Sequence, residues 1–340
     1  MQAYYLHGPR DLRPTDMDPP RPAADEVLVK VRATGLCGSD LHYYLHGQNG
    51  PFVPERPFIL GHESAGEIID AGACTDALPP GSRVAIDPSH PCRACDHCIG
   101  GRYNLCPHMR YFGSAACSPP QDGSFREIVP IRAENCHPIP DHMVYAEAAL
   151  LEPLAIALHG VGQAQPIAGR RLLITGAGPI GQLIGLVARH YGAAHLAVSD
   201  IRGDALDLAA ALWADQPLRA DDTDALTSAA NTGFDAVIEA SGAPAALAAA
   251  YEYCRAGGTI VQLGVQPGPV ELPVNLIMSK ELTLRGSFRF AHVFAAALDL
   301  LARRQLDITP LISARFDFAD LLAGFDAALQ PQTIKVVIDY

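Results

Sequence analysis

Four cysteines, Cys92, Cys95, Cys98 and Cys106, fall within fifteen residues of one another. Zn²⁺ favours tetrahedral thiolate coordination at about 2.3 Å, and short loops can carry four sulfurs round one ion. Such a set is closed to substrate, so it predicts a structural rather than a reactive metal. Free buried thiols are one alternative, and their grouping speaks against it. An iron–sulfur cluster needs the same four thiolates, and the other motifs of the chain argue against that.

A second set of ligand-type residues is scattered. GLCGSDLHYY holds Cys37, Ser39, Asp40 and His42; GHES holds His62 and Glu63; LEPLA holds Glu152. Taken singly each is ambiguous, because a lone histidine is more often a satisfied core or surface residue than a ligand. A third signal is RLLITGAGPIGQ, in which Gly176, Gly178 and Gly181 form G-x-G-x-x-G between an apolar strand and an apolar helical run. The first two glycines permit a tight turn and close approach to a pyrophosphate, and the third lets helix pack on strand. The helix start, with Pro179 and Ile180, then presents unpaired amides to an anion. A second strand ends at Asp200, where an acid accepts hydrogen bonds from both ribose hydroxyls and repels a 2′-phosphate. This favours NAD. Arg202 is either a surface cation or a seat for that phosphate, which leaves NADP open.

The elements that must position these residues follow from texture. Up to about residue 150, short β-type runs (Val27–Ala33, Ala65–Ile69, Arg83–Ile86, Arg126–Pro130) alternate with Gly/Pro-rich turns, predicting a small antiparallel β domain. From Leu151 to Arg285, apolar strands (Arg171–Thr175, Leu196–Ser199, Ala236–Glu239, Thr259–Leu263, Leu282–Arg285) alternate with alanine-rich helices, predicting a doubly wound parallel sheet. A last β run, Lys335–Asp339, is expected to return to the first domain. The 340 residues exceed one core, 49% are apolar and 18% charged, so an ordinary folded protein of two domains is expected. A net charge of −12 disfavours nucleic acid and anionic membranes as partners. The apolar window Leu172–Ala188 is broken by glycines and a proline, so it reads as buried strand and helix rather than a membrane span. MQAYYLHGPRDLRP lacks the form of a secretory leader, which makes cytoplasmic residence the expectation. The remaining cysteines (Cys37, Cys74, Cys117, Cys136, Cys254) are dispersed and form no disulfide framework.

GLCGSDLHYY, LGHESAGEI, the four-cysteine lobe, LEPLA, GAGPIG and GSFRF together resemble the zinc-containing medium-chain alcohol dehydrogenases, in their sorbitol dehydrogenase branch. The resemblance runs nearly end to end. It implies an α/β protein: a GroES-like β-rich catalytic domain (1–151 and 287–340) and an inserted Rossmann domain (152–286). It implies two zincs per chain and NAD, with NADP possible. Cys37 and His62 match the catalytic zinc ligands, Glu63 matches the acidic ligand or its exchangeable neighbour, and Glu152 binds zinc directly or through water. Asp40 then orients a ligand. Ser39 and His42 match the proton relay, with Glu152-bound water as the alternative and a plain hydrogen-bonding role for His42 equally open. Gly264, Ser287 and Phe288 join the cofactor site. Tyr43, Phe112 and Arg289 line the substrate site. A forked guanidinium suits a carboxylate or several hydroxyls, although Arg289 equally suits cofactor or backbone.

Within the branch, MRYFGSA and LRGSFRF are similar to L-idonate 5-dehydrogenases, implying oxidation of a secondary alcohol on a sugar acid; sorbitol or xylitol is the alternative. A homodimer or homotetramer is implied, extended through the apolar strand near Leu282. Two rivals stand further off. A quinone-reductase-like NADPH enzyme lacks the cysteine lobe and the Cys/His/Glu set, and a redox sensor without turnover has no need of an open metal site. Reduction of NAD⁺ in a screen of polyols and sugar acids discriminates between them.

Overall fold

A computed structural model describes residues 1–72 and 78–340; Cys74 lies outside the described residues. The chain folds into two compact units, Met1–Glu152 with Phe294–Tyr340, and Pro153–Val293. The divisions thus fall at 152/153 and 293/294, where the sequence places them at 151/152 and 286/287.

The first unit is organised by strand Glu26–Gly35, whose alternating pattern buries Val27, Val29, Val31 and Ala33. It pairs antiparallel with Glu63–Asp70, with Ile128–Arg132 and with Lys335–Asp339. Register then does the positioning. Gly35 lies opposite both Glu63 and Val337, so Cys37, the His62–Glu63 pair and Lys335 converge from three distant segments. The expected return of Lys335–Asp339 is therefore present. The strands up to about residue 150 pair antiparallel as expected, and beyond them the sheet gains one parallel pair, Ile312–Asp317 with Lys335–Asp339. A parallel pair requires a crossover, and helix Leu321–Ala328 supplies it. A smaller sheet of Asp11–Asp16, Gln2–Gly8 and Phe58–Ile59 covers a second cluster around Tyr43, Phe58, Phe125 and Phe325.

The second unit is a six-stranded, all-parallel sheet. Its order is Gln216–Arg219, His195–Asp200, Arg171–Thr175, Phe234–Glu239, Cys254–Gln262, Thr283–Gly286. In chain order this reads 3-2-1-4-5-6, the doubly wound arrangement whose direction reverses beside Arg171–Thr175. The window Leu172–Ala188 divides into that strand and helix Pro179–His190. No helix among the described residues is long and apolar enough to cross a membrane.

Helix Pro244–Tyr253 of this unit ends without a glycine cap. Instead the Lys280 ammonium donates to the carbonyls of Tyr251 (2.9 Å), Glu252 (2.7 Å) and Cys254 (3.0 Å). A cation satisfying terminal carbonyls complements the helix dipole. Lys280→Met should therefore cost about 1.5–3 kcal/mol, read as a lowered thermal midpoint. An unchanged midpoint would remove this cap from the account.

Candidate metal centres and dinucleotide seat

The four lobe cysteines come together as the spacing predicts, with their sulfurs all within 4.8 Å of one another. Cys92 Sγ lies 4.0 Å from Cys98 Sγ, and Cys95 Sγ 3.9 Å from Cys106 Sγ. Tetrahedral ligation at about 2.3 Å separates sulfurs by about 3.8 Å, so the lobe has the dimensions of a thiolate metal site. Backbone amides of Ala94 and Cys95 draw the Cys92 thiol down to about 6, while desolvation and the neighbouring sulfurs push Cys98 up to about 12, so without a cation the crowded thiols do not all ionise together.

The second cluster joins Cys37, His62 and Glu63, again within 4.8 Å. Cys37 caps helix Gly38–His46, and Asp40 in its first turn accepts from the Cys37 N–H (3.0 Å) and the Gly61 N–H (3.1 Å). Its Oδ1 is 3.7 Å from His62 Nδ1. Asp40 thus ties together both chain segments that carry donors and lies behind the imidazole, a position suited to orienting it. Burial alone would lower the His62 pKa. Asp40 and Cys37 more than offset this and hold it well above the usual value, so the pocket favours positive charge. Glu63 is buried against Lys335, whose ammonium reaches both carboxylate oxygens at 2.8 Å and the Leu36 carbonyl at 3.0 Å. Removing one partner of such a pair costs about 3–5 kcal/mol.

Glu152 stands apart from that three-residue group. Its Oε1 accepts from the Tyr111 hydroxyl at 2.5 Å, and burial raises its pKa to about 7, with His62 as the main opposing charge. Ser39 and His42 lie three residues apart on helix Gly38–His46, hence on one face. Partial enclosure and the neighbouring His46 lower the His42 pKa, which keeps the imidazole neutral and able to accept a proton. Tyr43 and Phe112, expected at the substrate, are each 1% exposed and belong to separate hydrophobic clusters. The Tyr43 oxygen accepts from the Ala115 N–H at 3.1 Å, so it holds the loop after Phe112 in place.

In the second unit, Gly176 adopts φ +94°, and a Cβ added at Gly181 would strike the Gly176 carbonyl oxygen. Glycine is therefore required at both positions. A cavity of about 470 Å³ opens beside them, lined by Gly176, Gly178, Asp200, Arg202, Asp221 and Ser241. Asp200 accepts from the Ala177 N–H (2.6 Å) and the Arg202 N–H (2.8 Å), joining the glycine loop to the end of the second strand. Arg202 reaches Asp204 at 3.3 Å, and Arg219 grips Asp221 through two bonds of 3.0 and 2.7 Å. Further along the same carboxyl edge, Thr175 Oγ1, Gln262 Oε1 and Ser287 Oγ are buried without hydrogen-bond partners. Orphaned polar atoms are costly unless a ligand satisfies them, and a dinucleotide's ribose and amide groups have the right chemistry. Gly264 lies against Gly242 and Glu239. Phe288 is half exposed, with the Arg289 guanidinium 4.6 Å over its ring.

Comparison with known proteins accords with this geometry. Residues 23–141 match the alcohol dehydrogenase GroES-like domain, and residues 179–303 the zinc-binding dehydrogenase family. Sorbitol dehydrogenase of Bacillus subtilis is 35% identical over 99% of this chain and 97% of its own length. The chain belongs to the zinc-containing medium-chain dehydrogenases, on their sorbitol dehydrogenase branch. D-xylulose reductase of Saccharomyces cerevisiae is likewise 35% identical, over 99% of this chain and 97% of its own. Among solved structures, L-idonate 5-dehydrogenase of Escherichia coli superposes with a TM-score of 0.91 at 35% identity, covering 100% of this chain and 98% of that one.

As a member of this family the protein is an oxidoreductase that uses zinc and a nicotinamide dinucleotide. The site residues that sequence reasoning missed are Lys335, Tyr111 and Glu239. Lysine inside the apolar run KVVID signals a buried partner, but nothing in the sequence says that the partner is Glu63. With two donor sets, zinc-replete protein should carry close to two equivalents by elemental analysis. Cys95→Ser should leave about one and lower solubility, since a structural zinc contributes folding free energy. Iron in place of zinc would contradict the assignment.

Proposed function

We propose that the protein oxidises a secondary hydroxyl of a sugar acid with NAD⁺, L-idonate being the first candidate and C5 the oxidised position. The observation that carries this reading is a second buried carboxylate, Glu152, acting electrostatically on the Cys37–His62–Glu63 cluster where a simple alcohol site needs none. The 35% identity to L-idonate 5-dehydrogenase supports the acid substrate. Cys37 and His62, with Glu63 or Glu152, would hold the metal. Zinc bound there supplies Lewis-acid polarisation that lowers the pKa of the substrate hydroxyl.

The chain's own residues do the rest. Asp40 orients His62, while Lys335 neutralises Glu63 and keeps the cluster's charge close to what a dication balances. Glu152, poised near neutrality, exchanges a proton, and Ser39 and His42 lead the hydroxyl proton along one helix face to solvent. Arg289 offers a fork of donors to a carboxylate. NAD is favoured over NADP because Asp200 stands at the ribose position and both nearby guanidinium groups, Arg202 and Arg219, already engage Asp204 and Asp221.

Neutral polyols such as sorbitol or xylitol are the second reading. The equal identity to sorbitol dehydrogenase and D-xylulose reductase favours them. Assembly into a dimer or tetramer fits the sheet edge at Thr283–Gly286, all four of whose residues are exposed, near the exposed side chains of Val274 and Met278.

Kinetics on L-idonate, D-gluconate, sorbitol, xylitol and a primary alcohol separate the readings. L-idonate should give the highest kcat/KM. Sorbitol alone would remove the named substrate, and a preference for the primary alcohol would remove the polyol class. Glu152→Gln should keep fold and cofactor binding but lower kcat on the order of 10²-fold. Asp200→Ala should shift preference toward NADP⁺; a wild-type enzyme with higher kcat/KM for NADP⁺ would refute the NAD assignment.

A further inference from the structure

One buried charge has no part in the chemistry above. Glu239 ends strand Phe234–Glu239 and is fully buried. Its Oε1 accepts from the Ser241 N–H (2.8 Å), the Ser241 hydroxyl (2.5 Å) and the Gly242 N–H (2.9 Å). Its Oε2 accepts from the amides of Gln262 (2.8 Å) and Gln266 (3.5 Å). Every one of these partners is a neutral donor. Such donors stabilise the ionised carboxylate and screen it in part, but they do not cancel its charge. A net negative charge therefore stands inside the carboxyl edge of the sheet, where the low dielectric lets it act at a distance.

The position of that charge is informative. In a 3-2-1-4-5-6 sheet the two halves each take one mononucleotide. The cavity with Asp200 is lined from the first half and, across the switch point, by Ala240, Ser241 and the helix that follows them. Glu239 therefore stands at its border, and the nicotinamide half begins on the far side, towards the orphaned polar atoms of Gln262 and Ser287. Oxidised nicotinamide is a cation and the reduced ring is neutral. Glu239 also ties the loop Ser241–Gly242 to the loop following Gln262, and the glycine loop leans on the first of these, since a Cβ at Gly176 would lie 2.9 Å from Ser241 Cα.

We propose that Glu239 is a positioning residue of the nicotinamide half whose buried carboxylate fixes two loops and favours the cationic, oxidised cofactor over the reduced one. This rests on the NAD-linked reading above.

The test is the ratio of dissociation constants for NAD⁺ and NADH, measured by calorimetry and by NADH fluorescence without turnover. Glu239→Gln keeps shape and an acceptor for Ser241 and Gly242 while removing the charge. It should weaken NAD⁺ about tenfold, the effect of losing ~1.4 kcal/mol of charge stabilisation, and leave NADH within about twofold. Glu239→Asp should restore the wild-type ratio even where both constants weaken. An unchanged ratio in the Gln variant, or a Gln-like ratio in the Asp variant, overturns the proposal alone. A wild-type protein that binds neither form overturns the NAD-linked reading and this proposal with it. Should the Gln variant fail to fold, Ser241→Ala carries the test at an exposed position. Removing one screening donor should move the ratio toward tighter NAD⁺, and no shift or the opposite shift counts against the proposal.

Discussion

Burying charge is expensive, and the first unit buries a great deal of it in one place. Asp40, His62, Glu63, Glu152 and Lys335 are all buried, and each would cost several kcal/mol if left alone. None is left alone. Asp40 is held by two backbone amides, Glu63 by Lys335, and Glu152 by the Tyr111 hydroxyl. Because the partners come from segments far apart in sequence, the pairing works only in the register that sets Gly35 between Glu63 and Val337. A one-residue slip would turn every side chain to the other face of the sheet. The central sheet of this unit is thus constrained by electrostatics as much as by its hydrophobic clusters.

The second unit solves a related problem by the opposite route. Its sheet interior is apolar, and at the carboxyl edge Thr175, Gln262 and Ser287 leave hydrogen-bonding capacity unspent. The only tryptophan is recruited to the same end. The Trp213 indole donates to Gln182, and the Gln182 amide donates to the carbonyls of Ala177 and Ala205. The glycine loop is therefore stiffened from beneath as well as shaped by its own backbone. Rigidity supplied before the ligand arrives reduces the ordering cost of binding.

Much of this was legible in the sequence, for reasons that differ from element to element. The cysteine lobe and the glycine loop are local: their function depends on spacing within one turn or loop, and spacing is what a sequence displays. Fully buried strands such as Arg171–Thr175 announce themselves as short apolar runs. Gln216–Arg219 does not, because it is an edge strand with a proline and a single buried side chain, Leu218. Ile312–Asp317 alternates strictly, with Ile312, Ala314 and Phe316 on the less exposed face, and carries a strand signal as clear as any other. Gln2–Gly8 and Asp11–Asp16 mix polar residues into a hairpin whose second strand is mostly exposed. The charge network was the least legible part. Glu63–Lys335, Tyr111–Glu152 and the donors round Glu239 are pairings made by the fold, and no local pattern carries them. Tyr43 and Phe112 show the same limit from the other side, since nothing in the motifs that carry them says that each is buried within a hydrophobic cluster.

The strand Lys335–Asp339 lies beyond the whole second unit in the order of synthesis, although it completes the sheet of the first. On the ribosome, the segment bearing Cys37, His62 and Glu63 therefore waits while Pro153–Val293 is made, its buried carboxylate without a counter-ion and one flank of strand Glu26–Gly35 unpaired beyond Lys30. The inserted unit, being contiguous, can finish folding first. The nascent chain thus acquires a competent dinucleotide seat before a competent metal centre, and exposes an open β-edge to chaperones or to neighbouring nascent chains in the interval.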